Sequence, residues 1–120
     1  MSKNPLAKSS WRLIEFLTGD ASTPPIDGTE LTAIFTEDAL SGSGGCNQFN
    51  AKYLIKEPNQ ISIFDLASTK KFCEQPPGIM KQEEEYFQRL KGANQFFLGG
   101  SGPLDLVSEQ TELGLRFERL

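Results

Sequence analysis

Cys46 and Cys73 carry the most distinctive chemistry in this chain. Cys46 sits in Ser41-Gly42-Ser43-Gly44-Gly45-Cys46-Asn47, and Cys73 closes Ala67-Ser68-Thr69-Lys70-Lys71-Phe72-Cys73. The first segment reads as a turn in which the backbone visits positive φ, a region only Gly and sometimes Asn tolerate cheaply. The second reads as the end of an extended, partly apolar run. A sulfur leaving a tight turn toward another on a neighbouring strand suggests a structural clamp. The competing chemistry is nucleophilic, but a Cys46 thiolate needs a base, and no partner is suggested by spacing. The chain has no histidine, which removes the commonest general base and the commonest metal ligand together. C-x-x-C spacing is also absent, so no metal site is expected.

Other candidates reduce to turn and surface chemistry. Ser41, Ser43 and Ser101 lie among glycines, yet none meets the G-x-S-x-G spacing of a nucleophile elbow. Gly42-Ser43-Gly44-Gly45-Cys46-Asn47 begins like a dinucleotide fingerprint, but Asn47 stands where the last glycine belongs. A strand-like run follows it where a phosphate site requires a helix. The pairs Glu15/Asp20 and Glu83/Glu84 read as solvated surface charges. No catalytic residue and no cofactor are expected.

These residues need a scaffold. A chain of 120 residues suits one domain with one real core. The net charge is −4 with no basic cluster, which argues against nucleic acid. No apolar run approaches the ~18 to 20 residues that span a membrane, so no membrane insertion is expected. Residues 1–10 read as a flexible arm without the apolar segment of a signal peptide, and residues 11–120 as a single domain. Two cysteines suit a reducing or an oxidising compartment, so the localisation stays open.

Short strand-like runs alternate with turn signals at 11–17, 31–35, 53–55, 61–66, 95–98, 104–107 and 113–117. Several alternate apolar and polar residues, which places one face inward. Such spacing predicts a mainly β, α+β domain, a small antiparallel barrel or sandwich. One helix is predicted over residues 77–91. Pro77 suits its first turn, Arg89 and Lys91 its last, and Gly92 its stop. Ile79, Met80, Tyr86, Phe87 and Leu90 fall near one face, with a polar gap at 83 and 84.

With these elements in place the chain resembles the META domain family, which includes the heat-shock protein HslJ. The resemblance runs from Trp11-x-Leu13 through the Leu31 strand to Ser41-Gly42 and Gly44-Gly45-Cys46-Asn47-x-Phe49. It continues through Tyr53, Leu66-Ala67-Ser68-Thr69, Cys73, Glu83-x-x-Tyr86-x-x-x-Leu90, Leu104-x-Leu106 and Leu115-x-Phe117. It implies a small, mostly β domain with one helix, without established catalytic activity, associated in bacteria with stress responses and often with the cell envelope. The leader seen in many members is missing here, and Lys70, Lys71 and Phe72 replace small or apolar residues.

Together the residues and the resemblance set out a motif of Gly44, Gly45, Cys46, Asn47, Thr69 and Cys73, in which Cys46 and Cys73 can form a disulfide. Thr69 and Asn47 would pin the turn to its neighbouring strand, or alternatively face a ligand. The leading functional expectation is a non-enzymatic, monomeric binding or adaptor module with a protein partner. The alternatives are a carrier of a small apolar ligand in a barrel interior and an enzyme using Cys46.

Overall fold

Alternation along the chain becomes a nearly closed sheet. The computed structural model describes residues 4–56, 58–99 and 102–120. Among the described residues nine strands run β1 (Ser9–Thr18), β2 (Ala21–Thr23), β3 (Thr32–Phe35), β4 (Ala39–Ser43), β5 (Gln48–Lys56), β6 (Gln60–Ser68), β7 (Gln95–Leu98), β8 (Leu104–Val107) and β9 (Leu113–Arg119). A single helix among the described residues, α1 (Ile79–Gly92), lies between β6 and β7 in the chain. All pairings are antiparallel, in the order β2-β1-β3-β4-β5-β6-β7-β8-β9. β1 also pairs with β9, from Trp11↔Arg119 to Thr18↔Leu113, closing the sheet into a barrel-like ring. The ring has a weak seam, since among the described residues β6 and β7 share the single register pair Gln60↔Gln95.

The period-two patterns fill the interior. Trp11, Leu13, Phe35, Leu40, Tyr53, Leu104, Leu106, Leu115 and Phe117 are buried there. Trp11 Nε1–H donates to Ser9 Oγ at 2.7 Å, which gives the buried indole its polar partner. Phe35 and Tyr53 meet edge-on at 5.0 Å. These side chains occupy the space that an interior apolar ligand would need.

Helix α1 packs against β6, β8 and β9. It starts after Gly78 in the left-handed region (φ 89°), with no side-chain cap. Arg89 and Lys91 stand in its last turn, where positive charge opposes the helix dipole. Arg89 also bridges to the barrel. Its guanidinium donates to Leu17 O at 2.6 Å and Gly114 O at 3.1 Å, pairs with Glu85, and lies 5.4 Å from the Phe16 ring centroid.

Two differences from the sequence expectation have local causes. Residues 4–10 belong to the ordered body, although residues 1–10 read as a loose arm. Leu6 is fully buried, the Lys8 N–H donates to Phe35 O at 2.8 Å, and Asn4 Nδ2 donates to Tyr53 Oη at 2.7 Å. Asn4 Oδ1 accepts from the amides of Leu6 and Ala7, an Asx-type turn that the residue type allows. Secondly, β4 occupies Ala39–Ser43, where the glycines and serines read as the start of a turn. Gly42 lets β4 approach β3 closely, because a Cβ there would collide with the Thr32 carbonyl.

Candidate functional site

The turn after β4 is held by a buried carboxylate. Glu83 is 3% exposed, and its Oε2 accepts from the amides of Cys46 at 2.9 Å and Asn47 at 2.6 Å. Glu83 Oε1 accepts from Asn47 Nδ2 at 2.7 Å. Both backbone donors are thereby satisfied inside the protein, where an orphaned donor is costly. Gly45 lies at φ 108°, a conformation that side chains resist. Gly44 is needed for space, not for φ: a Cβ there would lie 2.7 Å from Glu83 Cγ and 2.8 Å from Phe87 Cε1.

Asn47 then fixes the segment after β6. Its Oδ1 accepts from the Thr69 hydroxyl at 2.8 Å and the Lys71 amide at 2.7 Å. Its Nδ2 donates to Lys71 O at 3.1 Å. Thr69 N–H donates to Gln48 O at 3.0 Å, and Thr69 Oγ1 accepts from the Gln48 amide at 3.1 Å. Cys46 and Cys73 are joined by a disulfide with Cα atoms 6.0 Å apart. The structure therefore brings Gly44, Gly45, Cys46, Asn47, Thr69 and Cys73 into one cluster. In this oxidised state neither sulfur is available as a thiolate.

Residues 69–73 form a strap, and its residues 69–72 line an open groove of about 680 Å³ together with α1. Lys70 and Lys71 approach it from the strap, Lys81 and Lys91 from the helix. These are four of the chain's eight lysines. Ion pairs elsewhere join Arg12 to Glu30 and Glu118, Lys52 to Asp65, Arg89 to Glu85, and Arg116 to Glu15 and Asp105. Among the described residues none of the four groove lysines has such a partner. Phe72 stands 75% exposed at the same place.

Burial perturbs two phenols beside this framework. Tyr86 is enclosed in the core, donates its O–H to Thr32 O at 2.7 Å, and is pushed well above the ordinary tyrosine value by desolvation. Tyr53 is raised more modestly, chiefly by burial.

Of the remaining sequence candidates, Ser43 Oγ accepts from the Gly45 amide at 3.1 Å, which is turn chemistry, and Ser41 lies on β4. Ser101 lies outside the described residues. Glu15 pairs with Arg116 at 3.5 Å, while Asp20 sits exposed in the β1–β2 turn. The pair Glu83/Glu84 divides: Glu84 is exposed, but Glu83 is not the surface charge that the sequence suggested. Its position was readable, because Ile79, Glu83, Tyr86 and Leu90 follow an i, i+4, i+7, i+11 stripe. The acidic triplet 83–85 obscured it.

The fold has known counterparts. An NMR structure of a protein from Burkholderia xenovorans superposes with a TM-score of 0.77 at 22% identity, covering 100% of this chain and 92% of that one. The crystal structure of a DUF4847 family protein from Bacteroides vulgatus gives a TM-score of 0.65 at 15% identity, covering 95% and 94%. At such identities these likenesses establish the fold alone. No curated protein matches this chain. The META domain matches residues 4–119, nearly the whole length, and the chain belongs to the META domain family.

Proposed function

We propose that this META domain is a non-catalytic binding module that engages a protein partner through the groove between the strap and α1. The observation that supports this reading is charge concentration against the background. Four lysines without ion-pair partners among the described residues converge beside the exposed Phe72, in a chain of net charge −4. An exposed aromatic lining the same groove as these cations matches the aromatic-plus-charge composition of interface hot spots. A setting in stress or cell-envelope physiology belongs to the same proposal and is supported by family membership.

The test is affinity purification from the native source with two charge-reversed baits. A specific partner should be retained by Lys52→Glu/Lys56→Glu and lost with Lys71→Glu/Lys81→Glu. Equal retention by both baits counts against the groove.

A further inference from the structure

The hydrogen bonds of the strap alternate. Thr69 and Lys71 direct their backbone groups inward, to Gln48 and to the Asn47 side chain. Lys70 and Phe72, the residues between and after them, have no backbone hydrogen bond among the described residues. In an extended chain successive residues point their N–H and C=O groups to opposite edges. The strap therefore carries one bonded edge and one open edge, and Lys70 and Phe72 own the open one. Asn47 acts here as a substitute strand partner, its side-chain amide giving and taking the bonds that a neighbouring backbone would make.

An open edge is a template for another strand, and proteins commonly protect such edges with lysine. Lys70 and Lys71 fit that protective role against a second copy, since edge-to-edge pairing of two copies would bring like charges together. The same lysines favour an acidic strand. Lys81 and Lys91 stand on the opposite wall either side of the exposed Glu84, so the groove lysines outnumber its one exposed carboxylate, and α1 from Met80 to Lys91 offers a wall of roughly 16 Å at 1.5 Å per residue. That length matches about five residues of extended chain.

Resting on the binding role proposed above, we infer that the partner supplies an extended acidic segment that adds as a strand to the open edge at Lys70 and Phe72. Backbone bonds from those two residues set its register. Its carboxylates meet the groove lysines, and an apolar side chain packs on Phe72. Strand addition of this kind draws affinity from the backbone and specificity from alternate side chains.

The probe is a capped heptapeptide of alternating Glu and Val with a central Phe, titrated into the oxidised full chain by NMR and calorimetry. The expected result is saturable binding, slowed amide exchange at Lys70 and Phe72, and an affinity lowered about tenfold or more by Lys71→Glu/Lys81→Glu. Methylating alternate backbone nitrogens of the peptide should weaken binding by a similar factor while leaving its charge intact. Equal binding of the methylated and parent peptides overturns strand addition, even where the charge-reversed bait loses its partner and the groove itself stands. Absence of binding at about 1 mM overturns it too, as does self-association of the chain with protection of the same two amides.

Discussion

A carboxylate that is 3% exposed and accepts three N–H bonds holds the turn on which the two cysteine segments meet. Removing Glu83 leaves the backbone amides of Cys46 and Asn47 without an acceptor, each costly when buried, and takes one of two acceptors from the Asn47 side-chain amide. Glu83→Ala is expected to destabilise by about 3 kcal/mol in urea unfolding, against less than ~0.5 kcal/mol for the exposed Glu84→Ala. Equal effects of the two would remove Glu83 from the account. The neighbouring glycines should fail for different reasons. Gly45→Val strains a positive φ and should cost about 1–3 kcal/mol. Gly44→Ala places a methyl into Glu83 and Phe87, an overpacking that costs about the same. A shortened residue 87 separates these cases, because Phe87→Ala should partly rescue Gly44→Ala and leave Gly45→Val unchanged. The glycines were legible in the sequence as a turn that resists substitution. The space requirement at Gly44 was not, because it depends on a helix 35 or more residues downstream.

At the scale of elements, strong periodic patterns carried over and weak ones did not. The helix predicted at 77–91 occupies Ile79–Gly92, since its apolar stripe and its flanking Pro77 and Gly78 act within the segment itself. Strands rich in Ile, Leu and Phe, such as β6 and β9, were readable by alternation. β2 (Ala-Ser-Thr) and β4 (Ala-Leu-Ser-Gly-Ser) were not, because small polar residues have little strand preference and pair here through their neighbours. The strap is a third case, held from outside by Asn47 and the disulfide. That bond closes a separation of 27 residues between the β4–β5 turn and the segment before α1. In the chain-entropy account its reduction should lower stability by about 3–4 kcal/mol. Denaturation midpoints with and without reductant measure this, with Cys46→Ala/Cys73→Ala as the permanently open form. A midpoint insensitive to reductant in the wild type would contradict the clamp.

For the whole molecule, a core closed around Tyr86 implies a particular response to alkali. Burial raises the Tyr86 phenol well above its ordinary value, so the folded state keeps this proton after the unfolded state has lost it. Stability from this group is therefore complete below about pH 10 and declines as pH rises beyond it. Tyr86→Phe should flatten that decline while sacrificing the bond to Thr32 O, giving a protein less stable at pH 7 but less sensitive above pH 10. A parallel fall in both proteins would assign the alkaline response elsewhere. On the surface the same charge reasoning separates the groove from the rest of an acidic molecule, and here the sequence was least informative. The sequence showed no basic cluster, and it is the packing of α1 against β6 that brings Lys81 and Lys91 to the same groove as Lys70 and Lys71.

Residue-resolved amide hydrogen exchange along residues 69–72, in the free protein and with the acidic heptapeptide, addresses the strap most directly. Thr69 and Lys71 should be protected throughout, while Lys70 and Phe72 should exchange freely alone and slow sharply when the peptide is present. Protection of Lys70 and Phe72 in the free protein, or no change on adding the peptide, would contradict the open edge and the docking role built on it.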